Sequence, residues 1–239
     1  MANIFKTSIG KKLIMSISGL FLIVFMLLHT TINSFAVLDS IRGTWGAEDG
    51  WFQLGCDFMA LPVVNVMVPV LAAGFLIHII YALILSITNF KARGGVKRYS
   101  VNSKAKADSF AAQNMIWLGL IVLGLIAFHL THFWQHMQLQ EFTGGRAQNP
   151  YMLLENTFGN LWVTILYILW FVVLYMHIGH GFWSALQTIG WNNMIWLNRW
   201  KWIGRIVGAL IVLGLVAVAV TSYCHANTLL GMESIMQIQ

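Results

Sequence analysis

Five long, largely apolar stretches run through this 239-residue chain. A helix of about 20 residues crosses a hydrocarbon core about 30 Å thick, and each stretch is at least that long. The expected fold is therefore an all-α membrane protein, a single domain of five transmembrane helices over about residues 12–38, 63–90, 109–137, 160–188 and 203–223. Only 9% of residues are charged and 58% are hydrophobic, where soluble domains carry about 25% charge. That leaves no room for a large soluble domain. The first stretch lacks a small-residue cleavage site and reads as a retained span. Pro62 suits the opening turn of the second.

Loop charge orients the bundle. With the N-terminus in the cytoplasm, every Lys and Arg except Arg42 and Arg146 falls inside, and every acid except Asp108 falls outside. This satisfies the positive-inside rule. The basic residues sit in short clusters between spans, so the high pI signals topology rather than nucleic acid. Lys91, Arg93, Lys97 and Arg98 form one such cluster, free to serve a partner or a cofactor carboxylate as well. Trp191, Trp196, Trp200 and Trp202 read as an interfacial belt with partner docking as a lesser role. Cys56 and Cys224 both fall outside, which allows a disulfide but no thiolate metal site.

Histidines are set into four of the spans. A titratable ring in hydrocarbon is expensive and marks a functional site. His29 stands ten residues after Gly19, and His129 ten after Gly119, in matching stretches 100 residues apart; His78 and His177 are 99 apart. Distance to the nearest loop puts His29 and His129 nearer the outer face and His78 and His177 nearer the cytoplasm. At 1.5 Å per residue the two levels differ by roughly 10 Å. Spans one and three thus offer one pair, spans two and four another. A haem held by two histidines needs this arrangement: one imidazole from each of two helices, on opposite faces of an apolar ring. Gly74 and Gly181, four positions from His78 and His177, would let such a ring approach the backbone.

A lone intramembrane histidine more often packs helices; four depth-matched ones in a repeat argue against that. His129, His132 and His136 share a face at i, i+3, i+7, and depth alone does not separate His129 from His132. The glycine spacing favours His129. His180 competes with His177 in the same way. His136 and His225 lie near the outer surface, as solvated or quinone-site histidines.

With these motifs in order, the chain resembles the single-chain, dihaem cytochrome b (b558-type) membrane anchor of succinate dehydrogenase or fumarate reductase, of respiratory complex II. The residues that carry it are Gly19-Leu20-Phe21-Leu22 with His29; His78 ahead of a Lys-x-Arg…Lys-Arg-Tyr loop; Phe128-His129-Leu130; and His177-x-x-x-Gly181-x-x-Ser184. The resemblance implies two b haems, the distal on His29 and His129 and the proximal on His78 and His177, with His132 and His180 as second-choice ligands. It places the fourth ligand on His177 rather than His180. It implies flavoprotein (FAD) and iron–sulfur partner subunits on the cytoplasmic face of a bacterial inner membrane. A quinone, typically menaquinone, would react near the distal haem. Some members carry a glutamate two positions before the fourth ligand; Tyr175 stands there instead, which takes away that proton route.

The expected mechanism is electron transfer, since two histidines per iron leave no open position. Dicarboxylate chemistry would belong to the flavoprotein, and the sequence does not choose between succinate oxidation and fumarate reduction. Moving one charge across the membrane is worth about 2.3 kcal/mol per 100 mV, which serves either direction. Two rivals stand. One is the cytochrome b subunit of a hydrogenase or formate dehydrogenase, against which the glycine–histidine repeat argues. The other is a proton-coupled transporter with a histidine relay, which would need broken midplane helices; Pro69 is the sole intramembrane proline.

Overall fold

The computed structural model describes residues 7–92, 110–191 and 193–236, with side chains through residue 228. Arg93, Lys97 and Arg98 lie outside the described residues. Among the described residues ten α-helices follow in chain order: α1 (Ser8–Arg42), α2 (Trp51–Ala60), α3 (Pro62–Asn65), α4 (Met67–Ala92), α5 (Phe110–Gln113), α6 (Met115–His129), α7 (Gln138–Phe142), α8 (Pro150–Phe158), α9 (Leu161–Ile189) and α10 (Met194–Met236). A π-helical turn, Leu130–Trp134, continues α6. No strand occurs among the described residues. Five helical segments are long and apolar enough to cross a membrane, and helices can do so because they satisfy their own backbone groups.

Side-chain caps set the element ends. Thr7 Oγ1 accepts from the Gly10 N–H and opens α1. Asn149 and Asn160 accept from the second and third N–H groups beyond them and open α8 and α9. Gly190, at φ 93°, closes α9 in the left-handed region that other residues avoid. Asn193 Oδ1 accepts from the Ile195 and Trp196 N–H groups. That cap moves the start of the last helix back to Met194, ahead of the expected residue 203. Arg199, Lys201 and Arg205 are thereby helical, and their cationic heads lie over Trp196, Trp183 and Trp202 at 5.0–5.2 Å. Each cation is thus drawn to the face of an aromatic ring.

The spans form a ring in the order α4–α1–α9–α6. α4 packs chiefly on α1, and α6 on α9, while α4 and α6 barely touch. α10 lies outside the ring against α9 and α1. The core follows this asymmetry. Tyr167, Phe171, Leu174 and Ile178 of α9 and Ile211, Leu215 and Ala219 of α10 are buried, whereas α4 has no buried residue.

At the end of the bundle where α1 finishes, the short helices form a cap around Asp39, which is fully buried. Its carboxylate accepts from the Trp51 and Phe52 N–H groups at 3.0 and 2.8 Å, from Thr44 Oγ1 at 3.0 Å and from the Tyr151 hydroxyl at 2.7 Å. One side chain of α1 thus caps α2 and ties in α8. Burial and the adjacent carboxylate push the Tyr151 phenol up. Trp45 donates to Glu155 at 2.6 Å and stacks on His225 with ring centres 4.1 Å apart, and His225 meets Ser40 Oγ at 2.8 Å. Cys56 and Cys224 are free thiols, not a disulfide. Burial, with Asp57 and Glu141 nearby, pushes the Cys56 thiol up to about 12.

Candidate functional site

Because α1 faces α6 across the ring, and α4 faces α9, a side chain from each meets its counterpart in the middle of the bundle. His29 of α1 and His129, the last residue of α6, have ring centres 5.8 Å apart and planes at 84°. His78 of α4 and His177 of α9 are 6.3 Å apart, with planes at 76°. Two imidazoles bound end-on to opposite sides of one metal ion, each at about 2 Å, would have ring centres roughly 6 Å apart. Both pairs stand near that spacing. Among the described residues no three His, Cys, Asp or Glu side chains converge as a metal site.

The surroundings of the two levels differ. Phe25 stacks on His29 at 5.5 Å, and Phe133 and Trp170 flank His129 at 5.1 and 6.1 Å. Trp170 is buried and its indole N–H has no partner. At the inner level His78 Nδ1 lies 3.4 Å from Ser18 Oγ, whereas His177 Nδ1 is buried without a partner.

His132 and His180 have other neighbours, and His180 Nδ1, like that of His177, is buried without a partner. His132 Nδ1 meets the hydroxyl of buried Tyr167 at 3.0 Å and its ring stacks on Tyr167. His129 meets His29 of α1 and Trp170 of α9, whereas His132, three residues on in the π-turn, meets Tyr167 of α9. His180 sits edge-on to Trp183 at 4.9 Å. Among the described residues neither makes a ring contact with a histidine on another helix. His136 Nδ1 meets Gln148 at 3.3 Å, and His225 belongs to the outer cap.

The glycines are used differently from the expectation. Gly74 carries the Phe21 ring and Gly181 faces the end of Met115, so other side chains cover them. Gly19 and Gly119 are the ones that lie beside histidine rings. A Cβ on Gly19 would stand 3.2 Å from His78 Cε1, and one on Gly119 would stand 3.5 Å from His177 Cε1. Each repeated glycine therefore seats the inner histidine of another span, not the histidine ten residues along its own. Depth was the available signal: Gly19 and His78 both stand toward the end of the bundle where α1 begins and α4 finishes. Tyr175 packs on Gly208 of α10, away from the histidines. Pro69 falls in the first turn of α4, and the helix break before it lies near the outer end of the span rather than at its middle.

No protein-family model, no curated protein and no solved structure matches the chain.

Proposed function

We propose that the chain is a dihaem cytochrome b, the membrane anchor of a succinate:quinone oxidoreductase. The observation that carries this is the pair of crossed histidine couples, His29 with His129 and His78 with His177, each spanning the ring at close to the spacing of two axial imidazoles. The slight contact between α4 and α6 supports it, since a large apolar group between them would supply the burial that α4 lacks. Bound there, b haem would supply a one-electron carrier at each level, between an iron–sulfur partner at the basic inner face and a quinone near the outer one. The chain contributes four imidazoles, an apolar surround and, at His78, a hydrogen bond that orients the ring. Two histidines holding each iron would leave it no open position, so substrate and oxygen would be kept from the metal. The flavoprotein partner, menaquinone and a bacterial inner membrane rest on the family resemblance.

The test is a reduced-minus-oxidised spectrum with haem quantification on wild type and on His29, His78, His129 and His177 each changed to alanine. The expected result is two b haems per chain, with losses that group as His29/His129 and His78/His177. Co-purification with a flavoprotein and an iron–sulfur subunit would separate this anchor from a hydrogenase or formate dehydrogenase subunit. A folded wild type without haem overturns the reading and leaves a histidine relay.

A further inference from the structure

The two copies of the glycine–histidine repeat are not equivalent where they meet the inner level. On α1 the residue before Gly19 is Ser18; on α6 the residue before Gly119 is Leu118. Both are buried. Ser18 Oγ donates its own proton to the Met15 carbonyl at 3.0 Å. With that proton so placed, Ser18 Oγ, 3.4 Å from His78 Nδ1, acts toward the ring as an acceptor, beside the Met15 carbonyl that the ring also reaches. In that arrangement Nδ1–H points at α1, and the unprotonated Nε2 is the ring's free donor atom. Gly19, with no Cβ, lets the ring lie against the helix; a methyl there would stand 3.2 Å from Cε1 and 3.5 Å from Nδ1. Across the bundle the ring of His177 has the glycine but lacks the acceptor, and its Nδ1 is buried with no partner.

We propose that Ser18 and Gly19 form a seat on the first span that positions His78 in one tautomer and makes it the stronger electron donor of the inner pair. They are positioning residues, acting through His78. A hydrogen bond accepted from the ring N–H raises the basicity of the opposite nitrogen and fixes the ring's orientation. The corresponding position before Gly119 is apolar, so His177 gains no such help. The first span therefore governs the inner level through Ser18 and Gly19 and the outer level through His29.

This inference rests on the dihaem reading, and its test separates the two. Midpoint potentials and low-spin signals of both haems are measured in Ser18→Ala, Ser18→Thr, Gly19→Ala, Gly119→Ala and Leu118→Ser, with His78→Ala marking which component is the inner one. Ser18→Ala should raise the inner potential and leave the outer unchanged, and Ser18→Thr should restore it. Leu118→Ser, which offers His177 the missing acceptor, should lower the inner potential. Gly19→Ala should alter the inner signal, while Gly119→Ala, whose methyl would make an ordinary 3.5 Å contact, should not. If Ser18→Ala sheds haem, loss of the inner one alone supports the seat and loss of both overturns it. Unchanged inner potential in Ser18→Ala, or a shift in the outer one instead, also overturns it. A wild type that binds no haem fails the dihaem reading alone. The ring ¹⁵N shifts of His78 in detergent then decide the seat: an Nδ1–H tautomer lost in Ser18→Ala supports it, and equal shifts in both overturn it.

Discussion

Asp39 and the four central histidines are all polar side chains at or within the spans, and their environments set them apart. Asp39 has four donors around one carboxylate, which offsets the cost of burying a charge. Its work is structural. Asp39→Ala would leave two N–H groups of α2 and the Tyr151 hydroxyl without that acceptor, at about 1–3 kcal/mol for each buried group left unmatched. Asp39→Asn keeps one acceptor oxygen and should lose less. Thermal unfolding in detergent, followed by circular dichroism, should rank the stabilities wild type, Asn, Ala. The central histidines differ: they face one another across the ring, and His177 Nδ1 is buried and unmatched, as is Nδ1 of neighbouring His180. Groups that the protein leaves incomplete in this way point to a ligand.

Among the elements, α10 shows how a short polar signal redraws a boundary. The residues between Gly190 and the last apolar run are rich in tryptophan, asparagine and cations, which reads as loop. Asn193 nevertheless caps a helix there, and the cations cover the tryptophan rings. Asn193→Ala should destabilise the protein by about 1 kcal/mol, and Gly190→Ala, at φ 93°, by about 1–2 kcal/mol. Denaturant titration in mixed micelles would measure both; a loss near zero for Asn193→Ala would mean that α10 is held by packing against α9, α1 and α8 without help from the cap. The π-turn at Leu130–Trp134 acts in the opposite sense. It interrupts an apolar helix, and His129 and His132, equivalent by α-helical spacing, meet different neighbours. A π-turn inside a helix often marks a functional position.

At the scale of the whole molecule, the ring α4–α1–α9–α6 is lopsided, since α10 buttresses only the α1–α9 side. Loop charge predicts which end faces the cytoplasm: a reporter active only outside the membrane should work when fused after the C-terminus and fail when fused to the N-terminus. The reverse result would invert the topology and the assignment of inner and outer levels. Five apolar runs, the depth of each histidine and the asymmetry of charge were legible in the sequence, because bilayer thickness and charge cost act on each segment independently of its neighbours. The helix-forming class of the fold followed from the same constraint. Which histidine of each close pair faces the middle, what Gly19 and Gly119 lie against, and the fourfold capture of Asp39 were decided by tertiary structure. These depend on the rotation of one helix relative to another, and a chain read one segment at a time carries depth along the membrane but not the direction in which each side chain turns.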